Sequence, residues 1–137
     1  MTDIVIVAAT RTPIGSFSGS LSGYQAAQLG EIVIREVLKR AGVEAGQVDD
    51  VLLGQILTAG NGMNPARQAA LNAGLSIESS AMTINQVCGS GLRAVALGMQ
   101  SILAGDANIV VAGGQESMSN SQHAGYLRGG VKMGPMG

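Results

Sequence analysis

Residues Met82–Ser117, MTINQVCGSGLRAVALGMQSILAGDANIVVAGGQES, hold a strand, a sharp turn, a helix and a second strand in one run. Met82–Val87 is short and largely apolar, as a strand requires. Cys88-Gly89-Ser90-Gly91 are small residues that permit a tight reversal of the backbone. From Leu92 to Leu103, Leu92, Val95, Ala96, Met99 and Leu103 recur on one side at helical spacing. Ile109–Ala112 is again apolar, and Gly113-Gly114 stops it. A strand, helix and strand in this order form a crossover unit, which sets the two strands parallel.

The same alternation extends upstream. Ile4–Ala9 (IVIVAA) predicts a strand buried on both faces, broken by Arg11-Thr12-Pro13 and followed by a Gly/Ser-rich loop to about Gly23. Ala26–Ala41 predicts a helix, with Ala26, Leu29, Ile32, Val33, Val37 and Leu38 on its apolar face. Lys39 and Arg40 stand in its last turn, and Gly42 is its stop. Val51–Leu57 predicts another strand. Asn64-Pro65 reads as an N-cap followed by proline at the first helical position, opening a helix that ends near Gly74. The expected fold class is α/β, a mostly parallel sheet with helices on both faces. Beyond Ser117 the alternation stops, and Ser119–Gly137 shows neither a clear strand nor a clear helix. There is no internal repeat.

The chain has 137 residues, 46% hydrophobic and 12% charged, which supports a packed core and argues against disorder. Its aromatics are Phe17, Tyr24 and Tyr126, so the core must be aliphatic; the seven methionines fit as gap-fillers. A net charge of −1 without a basic run argues against a nucleic-acid surface. No segment reaches the roughly 20 apolar residues of a membrane span, and the N-terminus resembles neither a secretory signal nor a transit peptide. One cysteine and one histidine make no disulfide and no expected metal site. A soluble cytoplasmic protein is the expectation.

Cys88 is the candidate for chemistry, at the end of a predicted strand and the start of a predicted helix. The unsatisfied N–H groups of a helix start favour an ionised sulfur. A nucleophile on such a turn is presented to solvent beside backbone donors able to bind an oxyanion. Two other readings stand beside this one. A lone cysteine is often a buried, inert thiol. Gly89-Ser90-Gly91-Leu92-Arg93-Ala94 also fits the G-x-G-x-x-A dinucleotide fingerprint, with Glu116 near where a ribose-binding acid would lie.

Met82–Ser119 resembles the nucleophile region of the thiolases. The resemblance runs along the whole chain, through VAATRTPIGSFSGSL near the start, GQILTAGNGMNPARQAA, and the HAGYLRGGVKMG tail. Within the family the chain is most similar to the acetyl-CoA acetyltransferase branch. Ketosynthases share the fold and nucleophile type, but Gly89-Ser90-Gly91 and Gly113-Gly114-Gln115-Glu116-Ser117 resemble the thiolase version. The resemblance implies that Cys88 accepts an acyl group from acetyl-CoA or a 3-ketoacyl-CoA. The acyl group then passes to the enolate of a second acetyl-CoA, or to free coenzyme A in the reverse direction. The N–H of Cys88 would supply part of an oxyanion hole. Coenzyme A enters as substrate, and no permanently bound cofactor is implied.

The resemblance further implies two domains in the chain, a nucleophile domain over residues 1–118 and the start of a coenzyme-A-binding loop region over 119–137. Thiolases are expected to draw their bases from a Gly-His-Pro histidine and a second, glycine-flanked cysteine, and neither occurs here. The chain is therefore expected to match about the first third of a thiolase, incomplete and inactive alone, and to expose an apolar face. It would then need the missing part or associate with it, while full-length relatives form homo-oligomers. Asn85 and Gln86 lie on a strand resembling the family's dimer-forming strand. His123 is expected as a surface loop residue, Arg11 in a structural pair rather than against an anionic group, Glu116 as structural support rather than orienting active-site groups, and Arg128 and Lys132 in a solvated loop or near coenzyme A phosphates. Met63 departs from the glutamine of many relatives.

Overall fold

The computed structural model describes residues 3–123 of the chain. Three helices, α1 (Ala26–Ala41), α2 (Pro65–Asn72) and α3 (Ser90–Ala104), alternate with three strands, β1 (Asp50–Gly54), β2 (Ser80–Ile84) and β3 (Val110–Gly114). The strands form one parallel sheet in the order β2-β1-β3. Leu52 of the central strand pairs with Met82 on one side and with Ala112 on the other. The crossover expected from the α3 segment is present: β2 leads through α3 to β3 on the far side of β1.

Alternation along the strands sends side chains to two layers. Val51, Leu53 and Val111 face α1 and α2, where they pack with Ile34, Leu38, Ala66, Ala69 and Ala70. Val110 and Ala112 face α3, whose Gly98 would bring a Cβ to within 3.1 Å of Val110. Gly30 of α1 lies so close to α2 that a Cβ there would meet that of Ala69 at 3.0 Å. Small residues thus set the spacing of the layers.

Elements begin and end for identifiable reasons. α1 stops at Gly42, which takes φ 65° and donates to the carbonyls at the helix end, the left-handed cap that glycine adopts without penalty. α2 opens at Asn64, held at φ 46°. Its Oδ1 accepts from the N–H of Arg67 and from Oγ1 of Thr83, while Nδ2 donates to the Ala81 carbonyl at 2.9 Å. One side chain therefore caps a helix and ties it to the edge strand.

Several expectations require correction. Ile4–Ala9 forms no strand, and Val5, Ile6 and Val7 are 69–78% exposed. Strand propensity is realised only against a neighbouring edge, and the only hydrogen bond to this run among the described residues is from Arg40 to the Ala9 carbonyl. The buried face of α1 is Ala26, Ala27, Gly30, Ile34 and Leu38, leaving Ile32 exposed. On α3 the large residues of the expected face point outward and only Ala96 of it is half-buried. Ser90, Ala94 and Gly98 are buried, while Leu92, Val95, Met99 and Leu103 are 38–80% exposed. Val87–Ala104 has the length and composition to cross a membrane, but the small-residue face of α3 packs on the sheet as a domain helix.

The loop before β3 is held by Asp49, whose Oδ2 accepts from the N–H groups of Asn108 and Ile109 at 2.7 and 3.0 Å. These donors, Asn108 first, hold the carboxyl below its ordinary value. The unfolded chain then binds the proton more readily than the folded one. The contribution of Asp49 is complete above the ordinary carboxylate value of about 3.9 and is lost as pH falls through the lower folded value. The urea midpoint of the natural chain should therefore fall more steeply below about pH 4 than that of Asp49→Asn. Parallel profiles would remove Asp49 from the account of acid sensitivity.

Candidate active site

The turn between β2 and α3 carries Cys88, and its side chain is exposed. The alternative of a buried thiol does not hold among the described residues. Val87, immediately before it, has φ 51°, a left-handed conformation that costs a β-branched residue appreciably. The structure around it shows what holds it there. Asn85 Oδ1 accepts from the Val87 N–H at 2.9 Å. Ser90 Oγ accepts from the Gln86 N–H at 2.8 Å and donates to the Val87 carbonyl at 2.6 Å. The N–H groups of Gly89 and Ser90 close the turn on the carbonyls of Gln86 and Val87, each at 3.1 Å.

What is left unbonded matters more for chemistry. Among the described residues the first bond of the helix ladder runs from the Arg93 N–H to the Gly89 carbonyl. The N–H groups of Cys88, Gly91 and Leu92 have no acceptor there. Backbone donors left unbonded at a helix start form an environment suited to negative charge, and the exposed Cys88 thiol belongs to the same turn, while the Gly91 nitrogen lies against Gly54.

Close packing brings this turn to the carboxyl ends of the strands. A Cβ on Gly54 would lie 2.5 Å from that of Ser90, and one on Gly114 would lie 3.7 Å from the Cα of Gly91. The helix start therefore rests directly on two glycines of adjacent strands, β1 and β3. Below it, Gln115 Nε2 donates to Gln55 Oε1 at 2.9 Å, and Gln55 Nε2 donates to the Leu57 carbonyl at 3.2 Å. Both amides are buried.

Glu116 is structural support, as expected. Its carboxylate accepts from the N–H groups of Ile56 and Leu57 at 2.8 and 3.4 Å, tying the loop after β1 to the end of β3. It is thus committed to protein donors rather than free for a ribose, which removes a leg of the dinucleotide reading. Asn85 and Gln86 both adjoin the Cys88 turn. Asn85 Nδ2 also reaches the Ile56 carbonyl at 3.3 Å. His123 is exposed, as a surface loop residue should be. Arg11 is exposed and makes no ion pair among the described residues, contrary to the expected structural pair. The 119–137 segment is described only to His123, so Arg128, Lys132 and Tyr126 lie outside the described residues.

A cleft of about 440 Å³ runs beside the free edge of β2, lined by Gln55, Thr58, Asn64, Met82, Thr83 and Asn85 among others. Cys88 does not line it, and its side chain is exposed. Among the described residues no group of His, Cys, Asp and Glu is arranged to hold a metal. Sequence reasoning missed Ser90 and the left-handed Val87. The available signal was Asn85 two residues before Val87, an Asx-turn pattern, and a serine opening the helix.

A family model described as thiolase, N-terminal domain, matches residues 4–136. The chain is 62% identical over 131 residues to an acetyl-CoA acetyltransferase of Rhizobium meliloti, covering 96% of this chain and 33% of that protein. It is 58% identical over 133 residues to an acetyl-CoA acetyltransferase of Shinella zoogloeoides, covering 97% of this chain and 34% of the relative. Against the acetyl-CoA acetyltransferase of Pseudomonas aeruginosa the identity is 58% over 135 residues, covering 98% and 34%. The chain thus spans about a third of the length of the curated relatives it matches.

Proposed function

The chain belongs to the thiolase family through its N-terminal domain, and on that footing we propose that it carries the acyl-accepting site of an acetyl-CoA C-acetyltransferase. Cys88 is the acyl acceptor. Its thiolate attacks the thioester carbonyl of acetyl-CoA, the carbonyl oxygen gains negative charge, and collapse expels coenzyme A thiolate to leave acetyl-Cys88. The enolate of a second acetyl-CoA then takes the acetyl group to give acetoacetyl-CoA. In the reverse direction Cys88 attacks the ketone of acetoacetyl-CoA, the C–C bond breaks to release the enolate of acetyl-CoA, which takes a proton, and free coenzyme A then removes the acetyl group from Cys88.

The observation that carries this reading is that one turn holds both the exposed Cys88 thiol and the unbonded N–H groups of Cys88 and Leu92. Donors fixed before the reaction stabilise an oxyanion without reorganising during it. Relatives named acetyl-CoA acetyltransferase, at 56–62% identity, support the choice of substrate.

Turnover by this chain alone is not expected. Condensation needs a base for the α-proton, and a sequence with one histidine and one cysteine does not furnish the pair the family resemblance calls for. The test is incubation with acetyl-CoA followed by peptide mapping. A single acetyl group on the peptide holding Cys88 supports the reading. A folded chain that gains none would show that acyl acceptance needs more than these residues.

A second reading concerns assembly. Leu92, Val95, Met99 and Leu103 form an exposed apolar stripe on α3, and such stripes favour association. We infer that the chain works together with a complementary polypeptide or a thiolase subunit, and that alone it self-associates with rising concentration. Sedimentation should show the weight-average mass climbing above that of one chain. A strictly monomeric chain across the accessible range would sink this reading.

A further inference from the structure

We propose that Ser90 is the positioning residue of the nucleophile turn, the group through which the fold fixes the peptide that precedes Cys88. The proposal rests on Cys88 being the acyl acceptor, and it deepens that reading by naming what fixes the thiol in place.

Four observations converge on Ser90. Its hydroxyl uses both capacities within the turn, accepting from the Gln86 N–H and donating to the Val87 carbonyl at 2.8 and 2.6 Å. It is 5% exposed, so neither bond exchanges freely with water. Its Cβ is seated against Gly54, where no other residue type leaves room. Between the two anchored groups lies Val87 at φ 51°, which needs restraint on both sides to persist. Asn85 restrains the N–H of Val87 and Ser90 restrains its carbonyl. Cys88 follows directly and inherits its direction from that peptide.

The geometry makes Ser90 different from an ordinary helix-opening serine. An N-cap serine bonds forward, to N–H groups of its own helix. Ser90 bonds backward, to the strand end and to the residue before the nucleophile. It therefore contributes little to closing the helix and much to fixing the peptide that aims Cys88. Without its hydroxyl, the Val87 carbonyl keeps only the Ser90 N–H and the Gln86 N–H loses its acceptor, so the left-handed peptide is held less firmly and the direction of Cys88 is less fixed.

The experiment compares the natural chain with Ser90→Ala, Ser90→Thr and Asn85→Ala. Two quantities are read for each: hydrogen exchange of the Gln86 amide, and the rate of Cys88 carbamidomethylation in the folded chain relative to the same chain in urea. Loss of one partly buried hydrogen bond should speed Gln86 exchange about fivefold or more in Ser90→Ala. The folded-to-unfolded reactivity ratio of Cys88 should drop by a similar factor. Ser90→Thr, which keeps the hydroxyl, should recover both. Asn85→Ala, at an exposed site whose loss empties no core, should lower the reactivity ratio and keep the Gln86 amide protected, which covers the case of a Ser90→Ala chain that does not fold. Reactivity that stays at the natural ratio in Ser90→Ala with Gln86 protection lost, or in Asn85→Ala, overturns the proposal. Failure of acetyl-CoA to acylate Cys88, with these reactivity changes intact, would sink the acyltransfer reading and leave the positioning role standing.

Discussion

Cys88→Ser is expected to lower acetyl uptake from acetyl-CoA by roughly three orders of magnitude, and Cys88→Ala to abolish it. A cysteine is partly ionised near neutral pH and intrinsically nucleophilic, whereas a serine hydroxyl needs a strong adjacent base. None of the hydrogen bonds that build the turn involves the Cys88 side chain; they run through Asn85, Gln86, Val87, Gly89 and Ser90. Both variants should therefore keep the fold and its unfolding midpoint. Lost acylation with retained stability would locate the chemistry at one sulfur atom. Acetyl uptake by Cys88→Ala at the natural rate would mean that lysines or hydroxyls elsewhere are being modified nonspecifically, and Cys88 would lose its assigned role.

The largest effect on stability should come from Gly54→Ala, at about 3 kcal/mol. The added Cβ would lie 2.5 Å from Ser90 Cβ, 2.9 Å from the Ser90 carbonyl carbon and 3.1 Å from the Gly91 nitrogen. Two of these three are backbone atoms, so no side-chain rotation relieves the contact, and the start of α3 must move off the sheet. Gly113→Ala is the matched control one strand away, where the nearest atom is Leu53 Cδ2 at 3.9 Å, an ordinary contact. Urea unfolding should separate the two by most of the predicted difference. Moving the helix start also moves Cys88, so Gly54→Ala should lose thiol reactivity in step with stability. Equal stability of the two variants would show that the α3 start is not seated on β1.

Much of the site was legible before the fold was known. Cys88 followed by Gly89-Ser90-Gly91 sits at a boundary between an apolar run and a helical pattern, and that boundary is local information. So are the stop at Gly42 and the start at Asn64-Pro65, because caps act within one turn of the helix they close. Glu116 was recognisable as a support residue, although its partners, Ile56 and Leu57, stand sixty residues away in the sequence and only the fold brings them there.

The order of residues alone was enough for the α/β class, the helix positions, the parallel crossover through α3 and the choice of Cys88 as candidate, because each depends on periodicity, caps or a single residue type. Which face of each helix is buried came from packing between layers. Periodicity marks the large apolar residues, but layers that approach closely select small ones, so Ser90, Ala94 and Gly98 face the sheet while Leu92 and Leu103 face outward. Packing likewise left Ile4–Ala9 outside the sheet, since a strand exists only through an edge that pairs with it. And the folded arrangement alone disclosed the left-handed Val87 and the backward-bonding Ser90 that hold Cys88, because strain persists only where packing on Gly54 and two hydrogen bonds over-determine the turn.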